Sequence, residues 1–204
     1  MVKTSLRKKA DKASIFRSRT LICVVEKPKT LMNLMGIIRS AEALGVSKIY
    51  LIDDDKLKLP NDWKKMRDDP RLLKLSASGI KWLFLRKFSS TSECLQHLSK
   101  LNFTHAGTSP HQFGKKNVSL SEGDYTQRHL AVWFGNESRG LSQEALKACD
   151  LCVQIPMYGI IESMNLSSSA SVVLNHIVKK RHEFVENKVS KKSIKKRLSK
   201  LEKM

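Results

Sequence analysis

Short apolar runs separated by polar, turn-rich segments recur along the chain, and their spacing sets the fold class. Leu21-Ile22-Cys23-Val24-Val25 has the length of a strand and is followed by Pro28, after which apolar residues recur at helical spacing from about Leu34 to Leu44. Gly45 ends that helix. Lys48 to Ile52 predicts a second strand, stopped by Asp53-Asp54-Asp55, and Trp82 to Leu85 predicts a third after a polar segment of helical character. A helix is expected from about Ser92 to Leu101 and a fourth strand from Phe103 to Thr108, followed by a polar loop rich in Gly, Ser and Lys. Leu130 to Phe134 and Leu151 to Ile155 complete the set of strands. Alternation of strands and helices at this spacing predicts an α/β domain with a mostly parallel sheet and helices on both faces.

A length of 204 residues with 41% hydrophobic content supports one buried core with appendages. No apolar stretch approaches the ~18 to 20 residues that cross a bilayer, and Met1 to Arg19 lacks the apolar segment of a secretory signal. A soluble, cytoplasmic protein with no membrane partner is expected. Cys23, Cys94, Cys149 and Cys152 are too few and too irregularly spaced for a disulfide framework, which points to reduced thiols. Cys149 and Cys152 have the spacing of half a zinc site, but no second pair follows, so no metal is expected and the strand there buries one or both thiols.

Charge changes the picture more than composition does. The chain carries 38 Lys and Arg against 19 Asp and Glu, a net +19. Residues 1–19 hold seven basic and one acidic side chain, residues 179–204 eleven and three, so the ends carry +14 and the segment 20–178 only +5. Polycationic ends attract a polyanion by releasing its condensed counterions, which makes RNA or DNA the leading partner and two solvated tails the alternative. Within the C-terminal stretch from Lys188 to Met204, Val189, Ile194, Leu198 and Leu201 sit among seven lysines and one arginine. That loosely amphipathic pattern suits a helix that folds on RNA, packs on the core, or lies on a membrane surface.

Ligands of parallel sheets sit beyond the carboxyl ends of the strands, and two loops there carry candidate chemistry. Gly135-Asn136-Glu137-Ser138-Arg139-Gly140-Leu141-Ser142 has two glycines that permit tight backbone, and Ser142 is placed to cap a helix. It has neither the Lys-Ser/Thr pair of a phosphate-binding loop nor the three-glycine dinucleotide fingerprint. Ile155-Pro156-Met157 and Glu162-Ser163-Met164-Asn165-Leu166-Ser167-Ser168-Ser169-Ala170 lead into a long helix whose start is rich in hydroxyl and amide groups, suited to holding an anion or to capping itself.

These segments, with Asn33-Leu34-Met35-Gly36-Ile37-Ile38-Arg39-Ser40-Ala41 before them, occur in the order of the three motifs of the SpoU/TrmH family. From Leu21 to Arg181 the chain resembles these RNA ribose 2′-O-methyltransferases of the SPOUT superfamily. The resemblance implies a C-terminal deep trefoil knot, a homodimer, and S-adenosylmethionine held in the knot around Thr108, Gly135, Asn136, Ile155 and Met164. It also implies that Arg39 accepts the ribose proton or clamps an RNA phosphate. Asn33, at the start of the same helix, would orient Arg39 or the ribose, with Glu137, Ser163 and Asn165 shaping the site. The pattern departs at Leu31 and Met32, where a proline is common before the asparagine, and at Met35, where glycine is common and Gly36 comes one place later.

The resemblance further divides the chain into a basic extension (1–19), a methyltransferase domain (20–182) and a basic tail (183–204). Family members that act on ribosomal RNA often carry an added N-terminal domain, for which the residues before Leu21 leave no room. Basic extensions on a bare catalytic domain resemble the enzymes that methylate a D-loop guanosine of tRNA, placing tRNA ahead of rRNA. Lys9, Lys179 and Arg181 would then hold RNA phosphates. A non-catalytic RNA-binding scaffold is the reading from another class; its signature would be loss of Arg39 or Asn165, and both are present.

Overall fold

The two most apolar runs, Leu21–Val25 and Leu130–Phe134, are buried at every position because they pair with each other in the middle of the sheet, Cys23 opposite Val132. The computed structural model describes residues 4–110 and 117–188, and the apolar pattern from Val189 onward lies outside them. In chain order the elements are α1 (Ser5–Phe16), β1 (Ser18–Glu26), α2 (Leu31–Ala43), β2 (Val46–Ile52), α3 (Trp63–Asp68) and α4 (Pro70–Leu75). A 3-10 turn (Gly79–Trp82), β3 (Phe84–Phe88), α5 (Thr91–Lys100), β4 (Thr104–Thr108) and β5 (Asn117–Ser119) follow. The chain continues through β6 (Leu130–Phe134), α6 (Gln143–Ala148), β7 (Leu151–Gln154) and α7 (Leu166–Lys188).

All strand pairs are parallel, in the order β3-β2-β1-β6-β4-β7-β5. Alternate residues of β1 feed two cores. Leu21, Cys23 and Val25 pack with α2 and α7, while Ile22 and Val24 pack with α5 and α6. Helices therefore cover both faces, as the uninterrupted apolar strands require.

The predicted third strand is displaced. Trp82 ends the 3-10 turn, and β3 runs instead from Phe84 to Phe88, paired with β2 from Lys48↔Phe84 to Ile52↔Phe88. The partner strand, not the local apolar run, fixes where this edge strand begins. Two elements are absent from the expectation. β5 is a three-residue strand inside the polar loop, defined by its pairing to β7. α1 buries no residue and its one apolar stripe is made mostly of alanines, a weak signal among cations, and Thr4 caps it by accepting from the Arg7 amide. The four cysteines are free and buried, Cys149 and Cys152 included.

Arg181, expected as a phosphate ligand, has its guanidinium turned into the fold as a structural clasp. Its guanidinium donates to the carbonyls of Tyr125 (2.8 Å), Gln127 (2.6 Å) and Arg128 (3.2 Å) and to the Thr20 hydroxyl (3.1 Å). Those bonds pin α7 to the turn before β6, and leave the two amino groups committed within the fold.

Burial holds the His97, His105 and His176 imidazoles below their ordinary pKa of 6.5. The Trp133 indole donates to His105 Nδ1 at 3.0 Å, which suits a neutral ring. The unfolded chain takes up protons as pH falls through 6.5, whereas the folded chain does so only at lower pH. These groups therefore support the fold fully above that value and progressively less below it. The urea midpoint should be lower at about pH 5.5 than at about pH 7.5; equal midpoints would show that the three rings titrate alike in both states.

Candidate active site

The loop after β6 is shaped by its glycines. Asn136 and Gly140 exchange two main-chain hydrogen bonds of 2.9 and 2.8 Å, folding the loop back on itself. Gly140 has φ +68°, and a Cβ on Gly135 would lie 2.1 Å from the Gly140 carbonyl carbon. Larger residues are excluded from Gly135 by contact and disfavoured at Gly140 by conformation. Asn136 locks the turn, its Oδ1 accepting from the amides of Ser138 (2.9 Å) and Arg139 (3.2 Å) while its Nδ2 donates to the Lys27 carbonyl (2.7 Å).

A buried carboxylate holds the far end of this loop. Glu26, 2% exposed at the end of β1, accepts from the Ser142 amide (2.8 Å), the Ser142 hydroxyl (2.7 Å) and the Thr91 hydroxyl. Ser142 also caps α6, as expected, by accepting from the Ala145 amide at 3.2 Å. Glu26 was not among the expected site residues; its signal is a charged residue closing an apolar run, and its partners are distant in sequence.

A second carboxylate ties three motifs together. Glu137 accepts from the amides of Lys29 (2.6 Å) and Thr30 (3.3 Å) and from Asn33 Nδ2 (2.6 Å). Asn33 Oδ1 accepts in turn from Asn165 Nδ2 at 2.9 Å. Asn165 Oδ1 caps α7, accepting from the Ser167 amide (2.9 Å), the Ser167 hydroxyl (2.7 Å) and the Ser168 amide (3.3 Å). One side chain thus caps its helix and joins the site. Burial pushes the Glu137 carboxyl up, but the donors from Asn33, Lys29, Thr30 and its own amide outweigh it and hold the group below the usual carboxylate range. The displaced Gly36 has a role here: a Cβ on it would come within 2.9 Å of the Ser167 Cβ, so α2 and α7 meet closely at that point.

A cavity of about 560 Å³ opens beside this chain of hydrogen bonds. Thr108, Gly135, Asn136, Ile155 and Met164 all line it, as do Glu137, Ser163 and Asn165. The Thr108 hydroxyl is turned onto the Trp133 carbonyl at 2.8 Å. Leu141, Val153, Met157 and Leu166 add apolar wall, of which Leu141, Val153 and Leu166 read in the sequence as ordinary core. The size, the apolar wall and the main-chain groups of a glycine loop fit a nucleoside carrying an amino-acid arm such as S-adenosylmethionine.

Arg39 stands apart from this cluster. It is exposed, does not line the cavity, and has no hydrogen-bond or ion-pair partner among the described residues. Six helical residues separate it from Asn33, roughly 120° around the axis and about 9 Å along it. The hydrogen bonds of the Asn33 side chain go to Glu137 and Asn165, and none goes to Arg39. Lys9 and Lys179 are exposed. A double-mutant cycle of Asn33→Ala and Asn165→Ala, read by urea unfolding, should give a coupling of about 1 kcal/mol; additive effects would mean that the two amides act independently.

Comparison with known proteins agrees with the motif order. The SpoU rRNA Methylase family model matches residues 20–175. The chain is 28% identical over 168 residues to the tRNA (guanosine(18)-2'-O)-methyltransferase of Thermus thermophilus, covering 82% of this chain and 79% of that one. It is 27% identical over 167 residues to the Aquifex aeolicus protein of the same name, covering 82% and 72%. In fold it matches the crystal structure of the A. aeolicus TrmH/SpoU tRNA modifying enzyme with a TM-score of 0.72 at 24% identity, over 97% of this chain and 96% of that one. The SpoU methyltransferase AviRb from Streptomyces viridochromogenes, solved in complex with the cofactor AdoMet, matches with a TM-score of 0.67 at 25% identity, over 82% of this chain and 62% of that one. The chain belongs to the SpoU rRNA Methylase family, enzymes that use S-adenosylmethionine to methylate RNA.

Proposed function

We propose that this protein methylates the ribose 2′-hydroxyl of a tRNA nucleotide, a D-loop guanosine on the pattern of its relatives. The observation that carries this reading is the meeting of the three motif segments around one cavity, tied by the chain Glu137–Asn33–Asn165. The two named relatives modify guanosine 18 of tRNA, which supports tRNA over rRNA.

A ribose hydroxyl is a poor nucleophile at neutral pH, so the reaction needs alignment and removal of a proton. Bound S-adenosylmethionine supplies a methyl group made electrophilic by its sulfonium. Thr108, Gly135, Asn136, Ile155 and Met164, which line the cavity, would hold that cofactor through apolar and main-chain contacts. Ser163 and Asn165, on the cavity wall, position the ribose. Glu137 is spent on four donors, so it fixes Asn33 and does not act as the base. A guanidinium is a donor and not a proton acceptor, so the role assigned to Arg39 is a clamp on an RNA phosphate that orients the hydroxyl and stabilises developing charge. Lys9 and Lys179 add phosphate contacts that position the substrate without choosing the base.

Two architectural readings accompany the reaction. β7 lies between β4 and β5, both of which precede it in the chain, and this order supports a C-terminal segment threaded as a trefoil knot. Tyr158 and Ile160 are 96% and 102% exposed near the cavity, with Ile161 and Met32 also largely exposed, and this apolar surface supports a homodimer. No helix among the described residues is long and apolar enough to cross a membrane, which fits a cytoplasmic enzyme with a basic extension (1–19), a catalytic domain (20–182) and a basic tail (183–204).

Incubation with labelled S-adenosylmethionine and separated tRNA and rRNA fractions, followed by nucleoside mapping, should give a 2′-O-methylguanosine in tRNA. Label confined to rRNA would reassign the substrate, and transfer to neither would overturn the reaction. Arg39→Ala should lower turnover by at least about 100-fold while tRNA affinity falls only severalfold; full turnover in that variant would remove Arg39 from the mechanism.

A further inference from the structure

A second cavity, of about 280 Å³, lies between α1 and the 3-10 turn. Leu6, Ala10 and Ala13 from one stripe of α1 form one wall, with Lys9 at its rim, and Trp82 stands opposite. Trp82 is 40% exposed, and among the described residues no ring packs on it and no acceptor takes its indole N–H. Its backbone is nonetheless fixed, because Arg17 donates both to the Trp82 carbonyl and, at 2.6 Å, to Glu42 of α2. A half-exposed indole with no ring or acceptor of its own, carried on a backbone fixed by a charged clasp, suits stacking of a planar ligand.

The surroundings select which planar ligand. α1 carries Arg7, Lys8, Lys9 and Lys12 against Asp11, a net +3 over twelve residues. The 3-10 turn that ends in Trp82 begins at Gly79, where a Cβ would lie 3.4 Å from the Cα of Arg39. Three residues of 3-10 helix rise about 6 Å, so the Trp82 backbone follows one short turn after the point where this segment packs on the helix carrying Arg39.

We propose that this cavity is a nucleobase subsite, in which an unpaired base of the substrate RNA stacks on Trp82 while α1 cations hold the flanking phosphates. The inference rests on the RNA-methyltransferase reading and extends it by one nucleotide contact outside the reaction site. Stacking gives affinity without base-edge readout, so the site registers that a loop nucleotide is unpaired and leaves its identity unread.

The test uses the full chain. With Trp63→Phe, the remaining indoles are Trp82 and the fully buried Trp133, so emission reports on Trp82. A single-stranded hexaadenylate should quench that emission, while heparin, a polyanion without bases, should not. Trp82→Ala should weaken binding of unmodified tRNA and raise its KM on the order of tenfold, with the KM for S-adenosylmethionine and the salt slope unchanged. Trp82→Phe should restore most of the affinity, and Lys9→Ala should instead reduce the salt slope by about one. Wild-type tRNA affinity in Trp82→Ala would overturn the subsite, as would equal quenching by heparin. A change of oligomeric state in Trp82→Ala would also overturn it and assign the cavity to a second copy of the chain. Quenching and tRNA binding without any methyl transfer would overturn the enzyme reading while leaving the base site standing; methyl transfer indifferent to Trp82 would do the reverse.

Discussion

One ionised carboxylate organises the site. Glu137 gathers the amides of Lys29 and Thr30 and the side chain of Asn33, and through Asn33 it reaches Asn165 at the start of α7. Charge-assisted hydrogen bonds of this kind are stronger than neutral ones and directional, so a single group fixes the β1–α2 connection, the glycine loop and the α7 cap in one register. The close approach of Gly36 to Ser167 and the 2.7 Å bond between the Ser40 and Ser171 hydroxyls continue the same α2–α7 seam below it. The cavity exists because those pieces meet at a fixed spacing.

Glu26 does for the other end of the glycine loop what Glu137 does for its middle. Both are acids at the carboxyl edge of the sheet, Glu26 as the last residue of β1 and Glu137 in the loop after β6, yet their environments differ. Glu26 is enclosed and satisfied by hydroxyl and amide donors, whereas Glu137 faces the cavity and is held ionised by its donors. Both carboxylates are occupied by donors from the fold. The acids beside the cavity are tied into hydrogen-bond networks, whereas Arg39 is exposed and has no hydrogen-bond or ion-pair partner among the described residues.

Positive charge is divided by function in the same way. Arg17 and Arg181 look in the sequence like members of the basic ends, but both turn inward, onto Glu42 and Trp82 in one case and onto the carbonyls of residues 125, 127 and 128 in the other. Lys9 and Lys179 stay in solvent. The net +19 favours a polyanion at long range, and Arg17 and Arg181 spend their own charge on fastening the fold.

The apolar runs determined by themselves that the chain makes a parallel α/β sheet with two covered faces, because strands buried on both sides leave no polar alternation and need helices on each. Motif order located the cavity residues, since loops after β6 and β7 must lie beyond the same edge of the sheet. Other features depended on partners remote in sequence. Pairing with β2 set the start of β3, pairing with β7 made a strand of Asn117–Ser119, and four distant acceptors turned Arg181 from a surface cation into a clasp. Glu26 and Trp82 were silent for the same reason: a side chain's burial, its donors and its exposure to a cavity are properties of what packs against it. Local pattern chooses the elements, and only the closed tertiary structure decides which polar groups are consumed by the fold and which remain for the substrate.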